Sequence, residues 1–359
     1  MILYFSIATI IFWGAYTKNP RFYYLFGFFL IFLISAFRDI SLGGFDATNY
    51  ERIFKDTPGL LDLTNENLLT DYSIGYILFN SAIRSFSEDY RLFQFAYVTI
   101  TMLLLFLTIE KLKLSNKEKC ILLFSFFCFK FLWFEWVLLR QNFANILFWY
   151  NIVSFYNSNK FKQKIFYFAC SLILPPLFHT SAFINILLLP TMFIMERRSI
   201  DTKKFLVPIL SIVIYVASSV LVSYLFPYMV LLGGDRYDNY SESISLEMGN
   251  GNLINYLLRF FFYFVFITNY FRDKNRNREF VMSTMLMVIL IGSVNFSSVN
   301  RMYEYYAIGL YLCQSAILRI YRHPAVRVLY WAGMLVILGR FLTIGVEGSF
   351  LNYSTWLLN

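Results

Sequence analysis

Four arginines stand where the layout of the chain gives no need for them: Arg38, Arg140, Arg236 and Arg301. Each lies at or just beyond the end of an apolar run. An ionisable group at the edge of a bilayer is costly unless it is paired or faces water. Local partners are available: Asp39 for Arg38, Glu135 for Arg140 and Glu304 for Arg301. The other possibility is that the set converges on one anionic ligand. Arginine suits a phosphate, because its planar fork stays charged and donates two parallel hydrogen bonds. A lipid pyrophosphate carries its phosphates at this depth and its tail in the bilayer.

His179 is one of only two histidines, and it follows Pro175-Pro176 in the stretch FHTSAF, where a new helix should begin. An imidazole there could serve as a general base or donate to a leaving phosphate. It could equally cap the turn with Thr180 and Ser181. Asp46 and Tyr50 are four residues apart, so they share a face if GFDATNYERIF is helical. A carboxylate beside a phenol can bind and deprotonate a sugar hydroxyl, although Asp46 after Gly43-Gly44 would also make an N-cap. Tyr237 and Tyr240 beside Arg236, and Tyr303, Tyr305 and Tyr306 beside Arg301, add rings of the kind that stack on sugars.

The elements that must carry these residues are membrane helices. The 359 residues are 58% hydrophobic and only 15% charged, whereas soluble domains run near a quarter charged. Apolar runs recur along the whole length, near the ~20 residues needed to cross the hydrocarbon core. They are continuous and do not alternate, which argues against a β-barrel. The fold expected is all-α and polytopic, with about twelve spans: 1–17, 22–37, 90–109, 120–138, 140–157, 165–178, 181–195, 205–226, 253–270, 281–296, 303–319 and 328–346. The first run, Ile2 to Tyr16, lacks a basic start and a small-residue cleavage site, so it reads as a retained helix. Cys120, Cys128, Cys170 and Cys313 stand singly in apolar runs, without disulfide or metal spacing.

Charge sets the orientation. The loops 17–21, 110–119, 158–164, 196–204, 271–280 and 319–327 hold 20 of the 31 Lys and Arg against six acidic residues. By the positive-inside bias that side is cytoplasmic, and both termini face outward. The net charge of +9 is thus spent on topology, and nucleic acid is not an expected partner. The two long outer loops, about 38–72 and 227–252, are net acidic and rich in Gly, Asn and Tyr. After the first comes SIGYILFNSAIRSF, with Ile74, Ile77, Leu78 and Ala82 on one helical face, suited to lying along the outer interface. One integral-membrane domain, 1–359, is expected, with outer segments about 38–89 and 227–252. P-loop, GxGxxG, HExxH and GxSxG patterns are absent, as is an acidic DxD pair in the cytoplasmic loops. That disfavours ATP hydrolysis, proteolysis and use of a nucleotide-sugar donor.

In chain order the motifs are Arg38 with GFDATNY (44–50), LRQNFA (139–144), FHTSA (178–182), RYDNY (236–240) and NRMYEYY (300–306). Together they resemble the EpsG/Wzy family of bacterial polysaccharide polymerases over nearly the whole chain. One position departs: the family often has Tyr directly after the Asp, where this chain has Ala47. The resemblance implies a GT-C-like glycosyltransferase of the bacterial inner membrane, with its active site facing the periplasm. It implies that oligosaccharide repeat units on undecaprenyl pyrophosphate are joined without cofactor or metal. On that reading His179 and Asp46 are the candidate bases, and Arg140 and Arg301 hold the pyrophosphate. Arg38, Gln141 and Arg236 support them, and Tyr50, Tyr237, Tyr240 and Tyr305 contact sugar. Membrane lipid surrounds the chain, and a chain-length regulator and a flippase of the same pathway are the expected protein partners.

The main rival is a lipid-linked oligosaccharide flippase, which needs a charged path between both faces and often shows repeated helices. The unusual charges here cluster on one side, and no repeat is visible. A membrane acyltransferase using His179 as base would need an entry route for an acyl donor, for which no motif is present.

Overall fold

The computed structural model describes residues 1–63, 73–186, 189, 301–320, 322–344 and 350–357. The chain divides into two compact units, one comprising Met1–Phe183 with Leu318–Asn359, the other Ile184–Ile317. Among the described residues the structure is helical. The one β-type pairing there is an isolated antiparallel bridge between Arg38 and Thr355. The expected spans 205–226, 253–270 and 281–296, and the outer segment 227–252, lie outside the described residues.

The first unit is built from α1 (Ile2–Gly14), α2 (Pro20–Ala36), α3 (Gly44–Asp56), α4 (Ile74–Arg84), α5 (Tyr90–Lys111), α6 (Asn116–Phe126), α7 (Leu132–Trp136), α8 (Leu139–Asn157) and α9 (Phe161–Ile173). In chain order α10 (Ile308–Ile320) and α11 (Pro324–Ile344) follow. Local chemistry sets several of the starts. Pro20 opens α2, and Asp89 caps α5 by accepting from the Arg91 N–H at 2.9 Å. Ser115 and Glu118 close a reciprocal capping box on α6. Pro175-Pro176 removes two backbone donors and ends the run that α9 begins.

The core of this unit is α8 packed between α5 and α9, with α1, α2 and α6 packed on one another beside it. α8 is enclosed along nearly its whole length, polar residues included: Gln141, Asn142, Asn145, Asn151 and Ser154 are all buried. The outward faces of other helices are apolar, with Phe29, Leu103, Phe166 and Val336 exposed, as a lipid-facing surface requires. Among the described residues, α5 and α11 (over Pro324–Thr343) are long and apolar enough to cross a membrane, and α1 and α2 are shorter apolar helices.

The expected span 120–138 is not one helix. A five-residue π-turn, Phe127–Phe131, separates α6 from α7. Such a turn inserts a residue into the helical repeat and resets the phase of the next turns. Glu135 comes after it, fully enclosed, and its carboxylate accepts from Thr101 Oγ1 at 2.6 Å and from Asn142 Nδ2. α4 forms where expected, but it buries Tyr76, Ile77, Asn80 and Ser81 and leaves Ile74 and Leu78 outward.

The loop charges expected to be cytoplasmic gather at one end of this unit. Glu110 takes Arg21 at 2.6 Å and Lys119 at 2.8 Å, and Glu118 takes Arg319 at 3.2 Å. Lys111 lies over the rings of Tyr150 and Tyr167. The ends of helices that carry Arg38, Asp89 and Arg140 lie opposite.

Candidate functional site

Arg38 is held in place from two sides. At the end of α2, the carbonyls of Ser35, Ala36 and Arg38 accept from Gln94 Nε2 of α5 at 3.4, 3.1 and 2.9 Å. Those are carbonyls that a helix end leaves without intrahelical partners. From the other side, Asp39 N–H donates to Ser354 O at 3.0 Å and Trp356 N–H to Phe37 O at 3.3 Å. Asp39 itself accepts from Ser41 N–H at 3.0 Å and Ser41 Oγ at 2.7 Å. These bonds, with the Arg91 and Arg38 charges, hold its carboxyl below the ordinary value. The local Arg38–Asp39 ion pair allowed by the sequence is not formed.

The Arg38 side chain is fully buried. Its guanidinium sits 5.7 Å from the Trp136 ring, and Nη2 donates to the Trp136 carbonyl over a long 3.4 Å. Nε and Nη1 have no hydrogen-bond partner among the described residues. Burial lowers its pKa, and the neighbouring Tyr90, Glu135 and Tyr97 act in the opposite sense. A buried cation with two idle donors is costly for stability. An anion reaching it would satisfy those donors.

The helix bearing Asp46 begins against this arginine. Gly44 has φ 60° and ψ −151°, a conformation essentially reserved for glycine. A Cβ on Gly43 would meet Ala47 Cβ at 2.3 Å and the Trp136 carbonyl at 2.7 Å, with Arg38 Nη1 at 3.5 Å. The Gly-Gly step therefore lets the start of α3 lie on the Arg38–Trp136 contact. α3 is helical from Gly44, so Asp46 and Tyr50 do share a face. The N-cap position belongs to Gly43, which leaves Asp46 inside the first turn. Ala47 is fully buried against Gly43, so the tyrosine often found there in the family has no room.

Tyrosines link α3 to the other candidates. Tyr50 packs edge-on to Tyr76 at 5.8 Å, and the Arg140 guanidinium lies 5.8 Å from the same Tyr76 ring. Burial raises the Tyr76 phenol well above its ordinary value, so it stays a donor. Arg140 and Gln141 open α8, where Asn142 bridges Tyr97 Oη at 2.9 Å and the Glu135 carboxylate. Tyr97 Oη in turn donates to the Leu139 carbonyl at 2.9 Å. The Glu135 carboxylate, open to pairing with Arg140 on sequence grounds, thus has Thr101 and Asn142 as hydrogen-bond donors.

His179 reaches this end of the unit through its neighbour. Phe178 stacks on Phe143 of α8 at 4.3 Å, and a Cβ on Gly75 of α4 would meet the Leu177 carbonyl at 2.8 Å. The imidazole Nδ1 accepts from Ser181 N–H at 3.3 Å and lies 2.6 Å from Ser181 Oγ. The capping role allowed by the sequence is therefore real. It also fixes the tautomer: a neutral ring accepting at Nδ1 carries its proton on Nε2.

Arg38, Asp46, Tyr50, Arg140, Gln141 and His179 are thus carried by elements that meet at one end of the first unit. Arg301 begins a 3-10 turn, Arg301–Tyr306, in the second unit, where Tyr305 is fully buried and Tyr306 Oη donates to Asn185 Oδ1 at 2.9 Å. Arg236, Tyr237 and Tyr240 lie outside the described residues. Several other basic residues take the bland local option: Lys55 pairs with Glu51 at 2.8 Å, Arg84 with Glu88 at 3.3 Å, and Arg52 bonds Asn49 at 2.9 Å. Gln94, Tyr76, Tyr97, Trp136 and Asn142 were not singled out by sequence. The available signal was polarity inside apolar runs, which marks Gln94, Glu135 and Asn142. Among the described residues, no group of three or more His, Cys, Asp or Glu side chains is gathered to hold a metal ion.

Comparison with known families matches residues 21–355 to the EpsG family. The chain belongs to the EpsG family. That membership makes it a membrane protein of polysaccharide polymerisation, in keeping with its apolar helices. No curated protein and no solved structure matches the chain.

Proposed function

We propose that this EpsG-family chain is a glycosyltransferase that polymerises lipid-linked repeat units at the periplasmic face of the bacterial inner membrane. The growing glycan leaves undecaprenyl pyrophosphate and passes to the non-reducing sugar of a new lipid-linked unit. The acceptor hydroxyl loses its proton to Asp46 or His179 as its oxygen attacks the anomeric carbon. The bond from that carbon to the pyrophosphate oxygen breaks, and the anomeric centre inverts. Arg140 and Arg301 take up the charge on the leaving pyrophosphate, with Arg38 and Arg236 in support. Tyr50, Tyr237, Tyr240 and Tyr305 contact sugar, and Gln141 binds beside Arg140. No cofactor or metal takes part. The full fold is a GT-C-like bundle of about twelve spans, working beside a flippase and a chain-length regulator.

The observation that carries this reading is Arg38, a fully buried guanidinium with two donors unspent, beside the helix that bears Asp46 and Tyr50. Its placement costs stability and gives a pyrophosphate a ready partner. The test is reconstitution of purified protein with undecaprenyl-pyrophosphate-linked repeat units as the sole substrate. A ladder of lengthening glycans with release of undecaprenyl pyrophosphate is expected. Movement of units across the bilayer without a ladder would assign a flippase instead.

A further inference from the structure

At the opposite, basic end of the first unit, two cations share one ring. Lys117 Nζ lies 4.3 Å from the centroid of Tyr16, and Arg327 Cζ lies 4.5 Å from the same centroid. Lys117 is in the first turn of α6, and Arg327 is one turn into α11. Helix starts carry partial positive charge and disfavour cations. Here two helix starts and two cations meet.

The carboxylate whose charge acts on Lys117 is Glu118, and both its oxygens are committed. Oε1 accepts from Arg319 at 3.2 Å, and Oε2 accepts from Ser115 N–H at 2.9 Å and Ser115 Oγ at 2.7 Å. Burial, then the Arg327 and Arg322 charges, push the Lys117 pKa down. Tyr16 Oη and Arg327 Nε are shielded from solvent and have no hydrogen-bond partner among the described residues. Positive-inside topology explains why basic residues occur at this end. It does not explain two of them stacked on one tyrosine with idle donors between them.

We propose that Lys117, Arg327 and Tyr16 form a second anion site, which takes the phosphate of an anionic phospholipid headgroup. The surroundings favour a lipid over a free phosphate. The Trp13 ring lies 6.1 Å from Tyr16 and 6.0 Å from Trp331, and indoles mark membrane–water interfaces. Trp331, four residues after Arg327, lies on the same face of α11, and with Trp13, 38% exposed, it offers a short apolar track for the first carbons of an acyl chain. A soluble anion would meet the charges and leave that track bare. This site is separate from the one proposed for polymerisation, and its test does not depend on turnover.

The full chain is placed in phosphatidylcholine nanodiscs with or without phosphatidylglycerol, and Tm is measured. Wild type should gain about 5 °C from phosphatidylglycerol. In phosphatidylcholine alone, Lys117→Gln and Arg327→Gln should be at least as stable as wild type, because like-charge repulsion is relieved. Both should lose most of the phosphatidylglycerol gain. Equal gains in wild type and variants would overturn the site. An equal fall in Tm in both lipids would show that the two cations only brace Tyr16. A comparable gain from inorganic phosphate in phosphatidylcholine discs would overturn the lipid assignment. Should a Gln variant fail to fold, native mass spectrometry of delipidated wild type decides. One retained phosphatidylglycerol is expected, and none retained overturns the proposal.

Discussion

Arg38→Met keeps the reach of the side chain and removes its charge, and it should cut turnover without lowering stability. In the native fold the guanidinium has one 3.4 Å bond to the Trp136 carbonyl and one aromatic face at 5.7 Å. The aromatic contact is worth ~0.5–2 kcal/mol. The bond falls short of the ~1.5–3 kcal/mol of a well-formed charged one. Against them stands an effective desolvation cost of several kcal/mol for a buried ion, here with two donors unspent. The balance is near zero or unfavourable, so Arg38→Met should leave Tm unchanged or raised. Glu135 keeps its bonds from Thr101 and Asn142 in the variant. The double variant Arg38→Met/Glu135→Gln also removes the charge left behind. Turnover should fall by roughly 10²–10³, the loss expected for one pre-organised donor to a developing anion. The assay pairs nanodisc Tm with ladder formation from lipid-linked repeat units. A Tm drop of more than about 5 °C, with turnover per folded molecule near wild type, would refute the reasoning and make Arg38 structural.

Four further outcomes are expected. Arg140→Lys keeps the charge but loses the fork, so it should retain little activity at a normal protein level; wild-type polymerisation by both Arg140→Ala and Arg301→Ala would remove these arginines from the site. His179→Asn can still accept the Ser181 N–H where Nδ1 does, while His179→Gln can still donate where Nε2 does. If Nε2 works in turnover, Asn should slow it ~10²-fold or more, and Gln should discriminate donor from base by its residual activity. Gly44→Ala must place a side chain at φ 60° and ψ −151°, costing about 1–3 kcal/mol; an unchanged Tm would contradict this start of α3. Single cysteines labelled with an impermeant reagent in intact cells should react at position 46 and not at 162, and the reverse would invert the topology.

Much of the first unit was legible because its signals are local. Continuous apolar runs, Pro20, Ser115 with Glu118, and Pro175-Pro176 suffice to put α2, α6 and the end of α9 close to where they lie. The interruption in 120–138 was not legible. FSFFCFKFLWFEW reads as one apolar run, and the π-turn within it carries no residue signature. At the site, Gly43-Gly44 and the spacing of Asp46 and Tyr50 gave the helix face correctly. The isolation of Arg38 was hidden, because Asp39 stands next in sequence yet turns to Ser41. Gln94 and the strand-like 354–356 segment act across the fold, and no spacing in the chain announces them.

Whether this chain polymerises lipid-linked repeat units is decided by deleting its gene and resolving the surface polysaccharide by length. Long chains should vanish while single repeat units, still capped onto their carrier, remain. Loss of every surface unit, single ones included, would contradict it.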